Sequence, residues 1–370
     1  MLAGSCGVGG LCFSTIRSCL APADRPPVDT SLDRPFILMQ LTYILPIRSA
    51  GLGGLPELTA YLQSLAAHVP VIVVDGSPPD VFAAHAVAWA GCAQHLRPQE
   101  ATVNGKVGGV LTGVRQARHD KLVVADDDVR YELAQLARID ALLDRAEVVR
   151  PQNYFDPLPW HARWDTGRSL LNRLLGGDWP GTLGVRRAVL LATDGYAGDV
   201  LFENLEMVRT VRAAGGREQV ALDLFVRRLP STAGHFRSQR VRQAYDEFAR
   251  PARLAAELSV LPLGVRLARR RGPAGVALAA AAVAAAAEIG RRRARGATVF
   301  PATAALMAPV WLAERAVCSW LALAQRLRYG GVRYGGRILR QAATAQRVLD
   351  ERHRRVRQQA LAHPGGWRSR

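Results

Sequence analysis

The stretch Lys121-Leu-Val-Val-Ala125, followed by Asp126-Asp127-Asp128, decides how this chain is interpreted. Its first part is a short apolar run typical of a buried β-strand, and its second part places three carboxylates at the carboxyl end of that strand. Neighbouring carboxylates repel one another and raise one another's pKa unless a cation meets them. A divalent metal removes this repulsion and can in turn hold a phosphate, whereas the simpler interpretation is an acidic turn in solvent.

Two further apolar runs lie upstream, Phe36–Pro46 and Val71–Asp75, and the second also ends in an acid. Between them, apolar residues recur at helical spacing on one face: Leu58, Tyr61, Leu62, Leu65, Ala66 and Val69. A strand–helix–strand order predicts a parallel sheet with right-handed crossovers. Because ligands bind outside the carboxyl ends of such strands, Asp75 and Asp126–Asp128 together predict a nucleotide and metal site at one sheet edge.

The motifs and their order resemble those of the family-2 glycosyltransferases with the GT-A fold. The matching segments are Tyr43–Pro46 as the first strand, Asp75–Ser77, Asn104–Gly109 with Gly113, Asp126–Asp128 as the DXD motif, Phe202–Glu206 as the ED motif, and Gln239–Gln243 as the Q-x-x-R-W motif. The resemblance covers residues 36 to about 250 and continues more loosely to 340. Ceramide glucosyltransferase and its bacterial relatives form the subgroup that the chain resembles best.

This resemblance implies the fold class and a role for each matching side chain. The fold would be α/β, a mostly parallel GT-A sheet flanked by helices, followed by C-terminal membrane-associated helices. Asp126 and Asp128 would hold a divalent metal, Mg²⁺ or Mn²⁺. The residues binding the nucleotide sugar would be Asp75, Ser77, Lys106, Asp126, Asp127, Gln239 and Arg242. Among them Asp75 would face the base or ribose, and Arg242 would close over the diphosphate.

Two positions depart from the family pattern. The aspartate of the ED motif, the usual catalytic base, is Asn204, and an amide cannot accept a proton at useful pH. The role of base then passes to Glu203 or Glu206, which lie three residues apart on one helix face, or the match is shifted by one residue. The tryptophan of Q-x-x-R-W is Gln243, so a stacking contact near the acceptor is missing or supplied elsewhere.

Composition narrows the classes of partner. The chain has 370 residues, a formal net charge of +18 and 49% hydrophobic residues, enough for a sizeable core. Much of the positive charge lies in Arg266–Arg271, Arg291–Arg295 and Arg337–Arg370, beside apolar stretches. Anionic lipid headgroups are therefore the expected partner. Nucleic acid is not expected, because few aromatic residues are interleaved with the basic ones.

Cysteine usage bears on the compartment. The five cysteines are Cys6, Cys12, Cys19, Cys92 and Cys318, and no two have C-x-x-C spacing. A disulfide framework or a zinc site is therefore not expected. This pattern suits a reducing compartment, and we expect a protein of the cell membrane whose catalytic domain faces the cytoplasm.

Composition also divides the chain into four parts. They are a disordered extension or overlong start at 1–34, a catalytic domain at 35–250, membrane-associated helices with an interfacial strand at 251–340, and a basic tail at 341–370. Pro273–Gly290 is alanine-rich and near the minimum length for crossing a bilayer. Val299–Leu323 carries Glu314-Arg315, a pair that is costly inside a membrane unless partnered or interfacial. We expect at least one interfacial or re-entrant helix; a soluble alanine-rich hairpin is the alternative.

The remaining elements follow from local pattern. We expect a helix over 131–146, a strand over 148–150, a loop over 151–160, a short strand reaching Val185 with a helix from Arg187, a helix up to Ala214, a strand over 220–226 and a glycine-rich strand over 330–338. The loop, with Trp164, Asp165 and Arg168 continuing it, is either a wall facing the acceptor or a packed surface loop.

The function that these features predict is inverting transfer of a sugar from a UDP- or GDP-sugar to a membrane lipid or lipid-linked acceptor. Asn204 favours an alternative, a GT-A-like membrane-tethered nucleotide-binding protein without transfer activity. A basic membrane-peripheral scaffold is the third class.

Overall fold

The computed structural model describes residues 39–334 and 336–362, with side chains through residue 355. The predicted extension at 1–34 and the end of the basic tail lie outside the described residues.

The described chain alternates strands and helices up to residue 228 and is mainly helical afterwards. The strands are β1 (Leu41–Ile47), β2 (Val71–Asp75), β3 (Gln94–Leu96), β4 (Lys121–Ala125), β5 (Val129–Arg130), β6 (Val148–Phe155), β7 (Thr182–Arg186), β8 (Glu218–Arg228), β9 (Val332–Tyr334) and β10 (Arg337–Leu339). The helices are α1 (Leu55–Ala66), α2 (Pro79–Ala88), α3 (Gly105–Gln116), α4 (Leu133–Leu142), α5 (Trp160–Leu174), α6 (Arg187–Ala192), α7 (Glu203–Ala213), α8 (Ala233–Tyr245), α9 (Pro251–Arg292), α10 (Ala302–Ala305), α11 (Ala308–Tyr329) and α12 (Gln346–Ala362).

The first eight strands form one sheet in the order β3-β2-β1-β4-β7-β6-β8-β5. Strands β3, β2, β1 and β4 are parallel, β7 runs against β4 and β6, and β6 and β8 are parallel to each other. The strand order reverses at β1, because the chain moves outward to β2 and β3 and then returns to β4 on the other side. A crevice at such a reversal is the usual ligand site of an open α/β sheet.

Both faces of the sheet are covered, because alternate residues of each central strand point to opposite sides. On β1, Tyr43 and Leu45 pack with α1 and α4 in one core, whereas Ile44 packs with α3, α6 and α7 in another. The sheet therefore lies between two helical layers. The predicted fold class is confirmed: a mostly parallel sheet flanked by helices, followed by two long apolar helices.

Two local expectations are wrong. The strand expected to end at 150 continues as β6 to Phe155, and its pairing with β8 is irregular between Arg150 and Gln152. Pro151 lies at that irregularity, where a residue without a backbone N–H is tolerated. The expected loop therefore shrinks to the residues before Trp160, and Asp165 belongs to helix α5.

The long helices after residue 250 are fixed to the sheet domain through α5. A Cβ added at Gly290 of α9 would lie 1.9 Å from the carbonyl oxygen of Leu170, and one added at Gly167 would lie 2.8 Å from the nitrogen of Ala308. Helix α9 is kinked at Gly272, whose φ of 64° and ψ of −163° are not helical. The predicted alanine-rich segment is the part after this kink.

Two helical stretches of the described chain, Pro251–Thr298 and Ala302–Tyr329, are long and apolar enough to cross a membrane by length and composition. Only 6% of the apolar window is buried in the first, against 39% in the second. The charged pair of α11 is turned inward: Arg315 is buried, and Glu314 forms an ion pair with Arg240 of α8. One face of α11 is therefore part of the folded core.

The glycine-rich segment near 330–338, expected as one strand, is the two-stranded antiparallel hairpin β9–β10. Residues 341–344 follow it and contact α7, since the amides of Leu201 and Phe202 donate to the carbonyls of Gln341 and Ala342. The C-terminal segment thus closes over the start of α7.

Candidate active site

A cleft of about 190 Å³ opens where the carboxyl ends of β4 and β8 meet the start of α7 and the end of α8. Charged side chains from many elements line it: Asp126, Arg168, Glu203, Arg228, Arg242, Asp246, Glu247, Arg250, Arg253 and Arg315. Trp179 and Phe202 supply an aromatic wall, with ring centroids 5.2 Å apart. The cleft is rich in guanidinium groups, which suit phosphate oxygens.

Asp126 and Asp128 are held by two cations from other elements. The Nζ of Lys106 lies 2.5 Å from Asp126 Oδ1 and 2.6 Å from Glu203 Oε1. Arg228 donates from Nε to Asp128 Oδ2 at 2.9 Å and from Nη2 to Asp126 Oδ2 at 3.3 Å. Asp127, the middle residue, is exposed. The positive charges of Lys106 and Arg228 therefore offset the repulsion between the closely spaced carboxylates of Asp126 and Asp128.

Lys106 is positioned by the start of α3. The side chain of Asn104 caps that helix by accepting from the amide of Lys106, and it also donates to the carbonyl of Val200. Burial by itself lowers the pKa of Lys106, but the charges of Asp126 and Glu203 outweigh it and raise that pKa well above its ordinary value. Lys106 is therefore a fixed positive charge beside two carboxylates that line the cleft.

The donor set of Asp126 and Asp128 fits a divalent metal. Asp128 Oδ1 is buried and has no hydrogen-bond partner among the described residues, so one ligand oxygen is uncommitted. Burial raises the pKa of Asp128, in part opposed by Arg228. Backbone packs tightly here, because a Cβ at Gly181 would lie 2.6 Å from Asp126 Oδ2. Carboxylate oxygens are the ligands that Mg²⁺ and Mn²⁺ prefer.

Asp75 ends β2 in a different environment. It is fully buried, its Oδ1 accepts from the amide of Ser77 at 2.8 Å, and its Oδ2 lies 2.7 Å from His85 Nδ1 and 3.0 Å from His95 Nε2. Burial tends to raise the pKa of Asp75, but the hydrogen bonds from Ser77, His85 and His95 leave it lowered. Asp75, His85 and His95 form the only cluster of three or more potential metal ligands from His, Cys, Asp and Glu found within the described residues.

Ser77, predicted to bind the nucleotide with Asp75, lies at the same edge of the sheet. It is buried, and its Oγ accepts from the amide of Ser49, just after β1, at 2.9 Å. Its carbonyl accepts from Arg97 Nη1 at 2.5 Å. Asp75 and Ser77 thus brace the turn after β2. The structure does not bring Asp75 into contact with the DXD carboxylates: β1 lies between β2 and β4, a separation of ~10 Å for two strand spacings.

The ED-like segment places its three polar residues in three environments. Glu203 lines the cleft and holds Lys106. Asn204 donates from its side chain to the carbonyl of Pro180 at 2.9 Å. Glu206 is fully buried outside the cleft, where its Oε2 accepts from the amide of Thr344 at 2.6 Å. Of the two glutamates predicted as base, only Glu203 faces the cleft.

The Q-x-x-R segment lies on α8, and its two arginines have different roles. Arg240 is buried and binds Asp165 of α5 and Glu314 of α11, so it joins three helices. Gln243, which stands where the family has tryptophan, accepts from Arg240 Nη1 at 2.9 Å. Arg242 instead lines the main cleft and two neighbouring cavities, and its guanidinium lies 5.1 Å from the ring of Tyr334.

Gln239 lies one turn before Arg242 on the same helix. It lines the two neighbouring cavities, and its Oε1 is buried without a hydrogen-bond partner among the described residues. Gln239 therefore lines cavities together with Arg242 but does not line the cleft that contains Asp126.

Sequence reasoning missed several residues of the cleft. Arg228 is the last residue of β8, a strand parallel to β6. Searching the carboxyl ends of strands for basic residues as well as acidic ones would have found it. Arg315 was read as a charge inside an apolar segment, which is itself a signal of function. Asp246 and Arg250 follow α8, and nothing in the local pattern distinguishes them from surface charges.

Comparisons with known proteins give a distant similarity in fold. No family model matches the chain, and a search of curated proteins finds no match either. Among solved structures, the mannosyltransferase PcManGT of Pyrobaculum calidifontis, solved with GDP-Man and Mn²⁺, is 19% identical, with a TM-score of 0.47 over 76% of this chain and 87% of that one. TarS of S. aureus is 16% identical, with a TM-score of 0.38 over 57% of this chain and 40% of that one.

Proposed function

We propose that this protein is an inverting glycosyltransferase that moves a sugar from a nucleotide diphosphate sugar to a hydroxyl of a membrane lipid or lipid-linked acceptor. One observation carries the proposal: the strand-end carboxylate Asp126 lines a cleft with Arg228 and Arg242, Lys106 pairs with Asp126, and Arg228 joins Asp126 to Asp128. Carboxylates that accept a metal beside cations that accept phosphate form a site suited to a nucleoside diphosphate.

The donor is oriented along the edge of the sheet. The turn held by Asp75 and Ser77 shapes the end that takes the base or ribose, and Asp126 and Asp127 lie toward the diphosphate and sugar. Asp126 and Asp128 would hold Mg²⁺ or Mn²⁺, which when bound supplies positive charge for the leaving diphosphate.

The chain's own cations act on the leaving group. Lys106 and Arg228 are held by carboxylates in the cleft, and Arg242, with Gln239 beside it on α8, closes the opposite side. A guanidinium fork that meets phosphate oxygens in a water-poor cleft stabilises the charge that develops as the sugar–phosphate bond breaks.

The acceptor is proposed to come from the membrane. Large apolar side chains are exposed on α9 and α11: Leu263, Val265, Val276, Leu278, Ile289, Val317, Trp320 and Leu321. Arg269, Arg270 and Arg271 lie beside the kink of α9 and suit anionic headgroups. We infer that these helices lie in the interface of the cell membrane, with the cleft on its cytoplasmic side.

A screen of membranes containing the full chain, with several UDP- and GDP-sugars and Mg²⁺ or Mn²⁺, tests the function. The expected result is release of nucleoside diphosphate with one donor and labelled sugar in the lipid fraction. The stereochemistry of the product, read by NMR, should show inversion. Release of diphosphate with none of the donors would contradict the proposal.

A second candidate is a nucleotide-binding protein without turnover, and Asn204 favours it. The amide side chain is committed to the carbonyl of Pro180 and supplies no base. This candidate predicts that UDP or GDP with Mn²⁺ raises the melting temperature while no sugar is transferred or hydrolysed. A melting temperature unchanged by either nucleotide would contradict both candidates and favour a basic peripheral scaffold.

A further inference from the structure

Asp246 is a carboxylate of the cleft that forms no ion pair with any cation of the described residues. It follows α8 directly and lines the cleft beside Arg242. Its Oδ1 is buried, yet it has neither a hydrogen bond nor an ion pair within the described part of the chain. Unpaired buried carboxylate oxygens are costly and occur where a ligand or a reaction requires them.

The other acids of the cleft are committed. Glu203 is held by Lys106 at 2.6 Å, and Glu247 by Arg250 at 2.6 Å. Each glutamate is tied to a cation through its Oε1, although Glu247 Oε2 is also buried without a hydrogen-bond partner among the described residues. Asp246 has no such ion pair within the described residues.

Charged groups from four elements surround Asp246. They are Arg242 on α8, Glu203 on α7, Glu247 beside it, and Arg315 on α11. Burial raises the pKa of Asp246 to about 7; Glu203 and Glu247 add to this rise, and Arg242 and Arg315 oppose it. A general base is most effective when its pKa lies near the working pH.

We propose that Asp246 is the general base that takes the proton of the acceptor hydroxyl, in place of the aspartate that Asn204 replaces. This inference rests on the proposed function. As the acceptor oxygen forms its bond to the anomeric carbon, the hydroxyl proton passes to the carboxylate of Asp246. The bond from that carbon to the diphosphate oxygen breaks, and its electron pair leaves with the nucleoside diphosphate.

The test compares Asp246→Asn with the wild-type chain in the same membranes. The isosteric amide keeps the shape of the cleft but cannot accept a proton, so kcat should fall by about 10²–10⁴-fold. The donor KM and the shift of melting temperature with UDP or GDP plus Mn²⁺ should stay within about twofold, since transfer and not donor binding uses the base.

The pH profile separates a base from a residue that only shapes the cleft. Wild-type kcat should fall as the pH drops through about 7, because the protonated carboxyl cannot act as a base. The residual activity of Asp246→Asn should lack this acid limb, and Asp246→Glu should recover part of the rate with an acid limb of its own. Asp223→Asn, an exposed aspartate at the far side of β8, is the matched control and should keep wild-type kcat.

Three outcomes overturn the assignment. Wild-type kcat in Asp246→Asn would exclude Asp246 while leaving the transferase proposal intact. A 10²-fold loss in Glu203→Gln, with the acid limb removed there and retained in Asp246→Asn, would assign the base to Glu203. If the wild-type chain binds nucleotide but never transfers sugar, both the assignment of Asp246 as base and the transferase proposal are contradicted.

Discussion

The carboxylates after β2 and after β4 look alike in sequence and differ in how they are satisfied. Asp75 is fully buried and bonded to a backbone amide and two histidines that lie within twenty residues of it. Asp126 and Asp128 pair with Lys106 of α3 and Arg228 of β8, and one oxygen of Asp128 has no hydrogen-bond partner in the described part of the chain. A strand-end acid therefore becomes structural when its own neighbourhood satisfies it.

The same difference explains why Asp126 and Asp128 can exchange their partners for a ligand, whereas Asp75 cannot. Lysine and arginine reach a carboxylate through long flexible side chains, and a diphosphate or a cation can compete for each end of the pair. Two imidazoles packed among Phe82 and Trp89 have no such freedom. We expect mutations after β4 to change activity and mutations after β2 to change stability first.

Asp128→Ala should have the largest effect. It removes the uncommitted oxygen and the main partner of Arg228, so transfer should fall by about 10³-fold, a loss typical of removing one essential charge contact. The melting temperature should change little, because the Asp128 side chain is 30% exposed and Arg228 keeps Asp126 as a partner. Nucleoside diphosphate release and thermal unfolding, measured with and without Mn²⁺, check both points; full activity would separate the DXD motif from the reaction.

Gly181→Ala tests the close packing around the same carboxylates. The new methyl group would lie 2.6 Å from Asp126 Oδ2 and 3.0 Å from the Arg228 guanidinium, so one of them must move. We expect transfer to fall by about 10²-fold, a typical result of misplacing a catalytic group by an ångström. Gly53→Ala is the control, since no atom lies within 4 Å of its added Cβ. Equal activity in the two variants would show that Asp126 tolerates displacement.

The sequence predicted the central strands and the edge where the site lies, because alternating burial and strand-end acids are local signals. It did not predict which of those acids would be free. That outcome depends on Lys106 and Arg228, which are 20 and 102 positions from Asp126 and contact it only because the fold brings α3 and β8 to the end of β4. Nor could the apolar pattern of Val299–Leu323 show that α11 turns Arg315 toward the cleft.

Asp75→Asn should lower stability more than activity. The amide cannot accept from Ser77 and both histidines as a carboxylate does, and a buried group left unsatisfied costs about 1–3 kcal/mol. Asp127→Asn is the matched control, because Asp127 is exposed and surface substitutions change stability by about 0.5 kcal/mol or less. Urea unfolding of both variants measures the difference. Equal stability would mean that the histidine cluster does not hold the turn after β2.

The smallest effect that we expect is a change in the stability difference between the wild type and Asp75→Asn as the pH is lowered. The folded state lowers the pKa of Asp75, so its stabilising contribution is fully present above about pH 4, the unfolded value, and is lost as the pH falls through the lower folded value. The stability difference between the wild type and Asp75→Asn should therefore shrink as the pH falls below about 4. Between pH 7 and pH 5 the difference also includes His95, because burial lowers the pKa of His95 and Asp75 opposes that lowering. Subtracting the two curves cancels the groups that do not contact Asp75. A difference that grows as the pH falls below 4 would mean that Asp75 is protonated in the folded protein and donates to one of the histidines, which would reverse the charge assigned to the cluster.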